Sequence, residues 1–210
     1  EPNSVNVESM LNQVSDLSDL DNRTITPNGA QFRTDKRGFL PELMDTLYQE
    51  RVIYKKKMLE AKSLYQQTGD KKYWLEIAKN HNIQLARKIA LNSAYGALAN
   101  QYFLYYSPEQ AEAITMSGQL SIQWIEKHIN MYINKLLNTE DIDYVIAIDT
   151  DSIYVTFAKL VDKVFPKGTT TFKIVTFLDT ICKDKIKPSI DASYQVLHSY
   201  VNAYEQKMFM

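Results

Sequence analysis

The chain has 210 residues, 45% of them hydrophobic, with one cysteine and a formal net charge of −1. That is enough apolar material for one sizeable core or two small ones. A disulfide-stapled scaffold is excluded because Cys182 has no intrachain partner, and no apolar run approaches the length of a membrane span. The start, Glu1-Pro2-Asn3-Ser4, lacks the basic and apolar regions of a signal peptide, so a reducing, cytoplasmic setting is the expectation.

The net charge hides segregation. Segment 1–50 has 4 basic and 9 acidic residues, net −5, and segment 51–88 has 10 and 3, net +7. Segment 89–158 has 2 and 8, net −6, and segment 159–210 has 8 and 5, net +3. A basic block followed by an acidic one points to a polyanion site beside a metal site. Solvated helix faces are the plain alternative and account for Lys56, Lys57, Lys62, Lys71, Lys72 and Lys79.

Residues 1–40 read as irregular, with turn signals at Pro27-Asn28-Gly29 and Lys36-Arg37-Gly38 and a short hairpin beginning near Phe32. Pro41 stands where a helix starts. From Glu42 to Gln67, Leu43, Leu47, Ile53 or Tyr54, Met58, Ala61 and Tyr65 recur at three- and four-residue steps. Thr68-Gly69-Asp70 stops that helix, and a second runs from Lys72 to Leu98. Two long helices with a tight turn predict an antiparallel hairpin, each arm roughly 38–40 Å long at 1.5 Å per residue.

Ser107 and Pro108 are the N-cap and first residue of a third helix running to Asn138. Its periodic positions are Ile114, Leu120 or Ser121, Trp124, Ile125, His128, Met131, Ile133 and Leu136. Two short strands surround Asp149-Thr150-Asp151. Residues 159–170 read as a loop with room for a short helix. Residues 171–187 and 189–206 read as two helices broken near Pro188.

Two constellations carry chemistry. Asp149 and Asp151 interrupt an apolar run, with no Lys or Arg in residues 139–158. Residues i and i+2 of a strand face one side, which would aim both carboxylates from one sheet edge at a hard cation such as Mg²⁺. An ordinary hairpin turn is the competing reading, whereas an EF-hand is excluded by the missing glycine and distal glutamate. In the second constellation, Arg51 and Lys55 are four apart, while Lys88, Asn92 and Tyr95 follow 4,3 spacing on the facing helix, with Gln84 just above. Closing the hairpin would converge Arg51, Lys55 and Lys88 on a triphosphate. Gly96 costs about 1 kcal/mol in a helix interior, and close approach of a flat group such as a base pair is one reason to keep it.

Lys88-x-x-x-Asn92-Ser93-x-Tyr95-Gly96 and Asp149-Thr150-Asp151-Ser152 resemble the K-x-x-x-N-S-x-Y-G and D-T-D-S motifs of family B DNA polymerases. Pro27-Asn28-Gly29, Arg51-x-x-x-Lys55, Ala113-Ile114-Thr115, Gly118-Gln119 and Ile122-Gln123-Trp124-Ile125 extend the resemblance toward the replicative enzymes of tailed phages.

The resemblance implies an α+β fold. A long helical hairpin, the fingers at 41–99, stands on a partial palm at 100–210 that has a small antiparallel sheet and flanking helices, with 1–40 as a palm-side connector. It implies a DNA-directed DNA polymerase that uses two Mg²⁺ ions, and host-cell cytoplasm if the protein is phage-encoded. Asp149, Asp151 and Lys88 are implied as catalytic, with Asp151 and Asp149 as metal ligands. Arg51, Lys55, Lys88, Asn92, Tyr95 and Gly96 are implied as dNTP-binding. The implied partners are DNA primer-template, dNTP and the remaining polymerase portions in cis or trans, with a replisome clamp as a further candidate and no membrane.

Two departures matter. Ala147-Ile148 stands where the family usually has Tyr-Gly before D-T-D-S, which puts a primer-end contact in doubt. The family's D-x-x-S-L-Y-P-S motif, with the other metal-binding aspartate, does not occur in these residues, nor do exonuclease and thumb portions. The chain reads as starting after that motif and stopping inside the palm. The expectation is an inactive fragment, a subunit of a split polymerase completed in trans, or a non-catalytic nucleotide- or nucleic-acid-binding module.

Overall fold

The Asn6 side chain accepts from Ser9 N–H while the Ser9 hydroxyl accepts from Asn6 N–H, a reciprocal cap that starts helix α1 (Val7–Leu11). Residues 5–210 are described in this computed structural model; the reading of residues 1–4 as no leader lies outside them. The elements then run β1 (Arg23–Ile25), β2 (Gln31–Arg33), α2 (Phe39–Thr68), α3 (Lys71–Leu98), α4 (Pro108–Leu137), β3 (Val145–Asp149), β4 (Ser152–Val155), α5 (Ala158–Val164), α6 (Thr171–Ile181) and α7 (Lys187–Tyr200). Mostly helix with two antiparallel two-stranded sheets, this is the expected α+β class. No described helix is long and apolar enough to cross a membrane.

The chain divides into two units, one of residues 1–35 and 112–210 and the other of 36–111. The second contains the α2–α3 hairpin. Gly69 ends α2 at φ 68°, its N–H bonded to Tyr65 O, and Asp70 caps α3 through Lys72 N–H. Among the half-buried and buried residues, Met44, Leu47, Arg51, Tyr54, Met58 and Ala61 of α2 step by three and four, as do Ile77, Asn80, Gln84, Arg87, Leu91 and Ala94 of α3. That is a heptad seam of a and d positions. Of the predicted positions Leu43 lies exposed one residue beside the seam, Tyr54 rather than Ile53 is the seam residue, and Tyr65 keeps the seam register but is exposed near the hairpin turn.

The first unit is built around α4. Leu120, Trp124, Ile125, Ile129, Ile133 and Leu137 form its buried stripe against Met10, Ile25, Tyr144, Leu160, Ile190 and Tyr194. Trp124 is fully buried, and its Nε1–H donates to Ser193 O at 3.0 Å. The predicted Ile114, Met131 and Leu136 are on the exposed side. Lys127 reaches Leu11 O and the Asn12 side chain, tying α1 to this core.

Three local expectations change. Phe32 does not begin a hairpin; it sits in the second strand of one whose turn is Pro27-Asn28-Gly29, with Gly29 at φ 82°. The short helix allowed within the 159–170 loop is present as α5 (Ala158–Val164). The expected break at Pro188 is instead a π-helical turn, Cys182–Ile186, with Lys187 N–H bonded to Cys182 O. Proline lacks an N–H and crowds the carbonyl four residues back, and a widened turn lets α6 run into α7 without interruption. The helical run ends at Tyr200 rather than 206.

Trp124→Ala is expected to lower the unfolding free energy of the first unit by about 3–5 kcal/mol in urea titration, the usual cost of emptying a buried Trp site. Gly69→Ala forces a Cβ into the left-handed region and should cost about 1 kcal/mol, read as faster amide exchange at the α2–α3 turn.

Candidate functional site

Tyr144 and Val145 are buried and root the β3–β4 hairpin in the core, where Thr156 N–H donates to Tyr144 O at 2.8 Å. A bulge at Ile146 shifts the register, after which Ala147 pairs with Tyr154, Ile148 with Ile153 and Asp149 with Ser152. Burial falls off along the strands: Ile146, Ile148 and Tyr154 are exposed. The hairpin therefore carries its tip away from the core.

Asp149 is the last residue of β3, and Thr150-Asp151 is a two-residue loop. The same-strand argument for aligning the carboxylates therefore fails, because the chain reverses between them; a turn carries them instead. Thr150 has φ 54° while Asp151 is not in the positive-φ region, the pattern of a II′ turn whose first central residue is ordinarily glycine. A β-branched residue there is strained by about 1–3 kcal/mol. Thr150 Oγ1 donates to Asp149 Oδ1 at 3.1 Å, and Ser152 Oγ donates to Asp149 O at 3.0 Å. Both aspartates are exposed and neither has a basic partner among the described residues. Beneath them Tyr194 has its hydroxyl pKa raised, first by burial and then by the charge of Asp151.

Two carboxylates with free oxygens fit part of a Mg²⁺ shell, since Mg²⁺ is held by one or two carboxylates plus phosphates. Among the described residues no group of three or more His, Cys, Asp or Glu side chains gathers for a closed protein site. A concavity of about 590 Å³ in the same unit lies at the α4 end and the 139–143 loop, without either aspartate.

In the other unit, the heptad count organises the cations. Arg51 is an a residue within the seam, half-buried, and its Nε is buried with no acceptor. Lys55, Lys88 and Tyr95 are exposed e positions. Reversing one helix against the other brings e beside e and g beside g, so these three share one flank of the hairpin. With Glu50 bonded to Arg87, Lys88 is level with Arg51 and Lys55 lies about one 5.4 Å turn toward the tip. The expected convergence between the helices is thus corrected: Arg51 is between them, while Lys55 and Lys88 stand outside the seam. Gln84 is buried in it, and Asn92 is exposed next to Lys88. A Cβ added to Gly96 would meet nothing within 4 Å, so packing within the chain does not require glycine there.

The Glu50–Arg87 ion pair, Nε to Oε2 at 2.5 Å, was not anticipated. Its sequence signal is the heptad itself, which sets a g-position acid against a d-position base only once the hairpin register is known.

The family model described as DNA polymerase family B matches residues 4–197. The chain is 46% identical over 131 residues to a DNA-directed DNA polymerase of Enterobacteria phage T4, and 42% identical over 128 residues to one of Escherichia phage RB69. Each alignment covers 60% of this chain and 14% of the relative, so the chain spans about a seventh of these proteins' length. With a match over most of its residues, and with the K-x-x-x-N-S-x-Y-G and D-T-D-S segments placed on helix and hairpin as described, the chain belongs to DNA polymerase family B.

Proposed function

We propose that this chain is the fingers (41–99) and part of the palm (100–210), with 1–40 as connector, of a DNA-directed DNA polymerase that adds dNTPs to a DNA primer. The observation that carries the reading is Arg51: a buried guanidinium nitrogen without an acceptor, at the level of exposed Lys88 and one turn from Lys55. Burying a polar group without a partner costs free energy, and a triphosphate oxygen would supply an acceptor once the Arg51 side chain turns outward to meet it.

In this reading Arg51, Lys55 and Lys88 bind and neutralise the triphosphate of the incoming dNTP. Asn92 orients the phosphates and sugar. Tyr95 and Gly96 form a floor for the nascent base pair; the open space at Gly96 supports this role. Asp151, with Asp149 beside it, would hold Mg²⁺, which when bound neutralises developing charge on the phosphates and lowers the pKa of the attacking 3′-hydroxyl. The primer-template is the macromolecular partner.

Two features favour completion by further polymerase portions, in cis or in trans. A two-stranded sheet is marginal by itself, and β3–β4 leaves Ile146, Ile148 and Tyr154 exposed, an apolar surface of the kind a further strand or helix covers. The D-x-x-S-L-Y-P-S carboxylate also has no counterpart in these 210 residues. The isolated chain is therefore inactive.

Purified alone with primer-template, dNTPs and Mg²⁺, the 210-residue chain should extend no primer; extension that Asp151→Ala abolishes would overturn this. Mixed with a fragment carrying the upstream motif, it should incorporate dNTPs. In that mixture Lys88→Ala should lower the rate about a hundredfold, the scale for losing one charge-stabilising donor. Co-purification without incorporation would instead identify a non-catalytic binding module.

A further inference from the structure

The triphosphate reading leaves Arg87 without a task, although it neighbours Lys88 in the chain. Arg87 is a d residue of the seam and, in the register set by Glu50, occupies the same level as Arg51. Two guanidinium groups thus share one level of a half-buried seam, where the effective dielectric is below that of water and like charges repel more strongly. Only one of them has a counter-charge: Arg87 Nε binds Glu50 Oε2, with the two side chains 36% and 40% exposed. Glu50 is a g residue, on the flank opposite Lys55 and Lys88. The pair therefore draws Arg87 away from the flank that carries the other cations. It also selects the stagger, since a slip of one heptad would set Glu50 against Asn80 or Ala94.

We infer that Glu50 and Arg87 are positioning residues for nucleotide binding. Their ion pair, on the flank away from the triphosphate, neutralises the second arginine of the seam and leaves Arg51 as the guanidinium that faces the phosphates. The inference rests on the triphosphate reading above and adds to it a specific electrostatic coupling.

The test is binding of dATP with Mg²⁺ to the 210-residue chain, followed by NMR shifts, with helix content from circular dichroism as the folding control. The variants are Glu50→Gln, Arg87→Gln, the two combined, and Lys88→Ala. Glu50→Gln leaves both arginines unneutralised at one level and should weaken binding about fivefold to tenfold, within the usual range for contacting residues. Removing Arg87 as well lifts the repulsion, so the double variant should bind within about twofold of the parent. A pair that merely braces the helices would leave the double variant no better than Glu50→Gln, and that result overturns the proposal. So does unchanged binding by Glu50→Gln while Lys88→Ala loses dATP, an outcome that leaves the triphosphate reading standing. Failure of the parent chain to bind dATP, or a Lys88→Ala variant that binds as well as the parent, overturns the reading and the proposal together.

Discussion

A charged level inside the α2–α3 seam is the constraint on which the arrangement of the proposed nucleotide site depends. Coiled-coil seams are stable because apolar a and d residues interlock, and a polar layer trades stability for a defined register. Here Met44, Leu47, Tyr54 and Met58 of α2 keep the apolar rule, while Arg51 breaks it at the level of Arg87 on α3. A register that mismatched Arg87 and Glu50 would leave a cation in the seam without its counter-charge. The cost of that error holds the two helices in one stagger, and the stagger places Lys55, Lys88 and Tyr95 along one flank.

The β3–β4 hairpin follows a different logic. Its base is fastened by buried Tyr144 and Val145, and its tip carries two unneutralised carboxylates on a turn with a strained Thr150. A tip with so little packing of its own is poor at stabilising a fold. It is well suited to presenting oxygen ligands to something that arrives with positive charge. Both features work against stability locally and are supported elsewhere, by the α4 core in one unit and by the apolar levels of the seam in the other.

Much of this was legible in the residues. Gly69 and Asp70 mark the hairpin turn because one tolerates the left-handed region and the other caps a helix. Ser107 and Pro108 mark the start of α4 for similarly local reasons. What escaped was short or non-local. Helix α1 is five residues long and is held by its cap, by burial of Met10 and by Lys127 far along the chain. The π-helical turn before Pro188 is a tertiary answer to a local defect, since a proline signals trouble without saying how it will be resolved. Leu43 and Ile53 satisfied helical periodicity but not the seam, because periodicity defines a stripe and only the partner helix decides which stripe is buried.

The sequence by itself determined the kinds of element, their order, and the candidate residues of the proposed nucleotide and metal sites, because caps, turns, periodicity and the two motifs are written within a few residues of one another. It also sufficed for the family. Only the tertiary structure decided that Asp149 and Asp151 sit on a turn rather than along one strand, that Arg51 is half-buried in the seam with a buried, unmet Nε, and that Glu50 answers Arg87. These are matters of register and burial, set by which residues of a distant segment come opposite, and a linear string does not specify them.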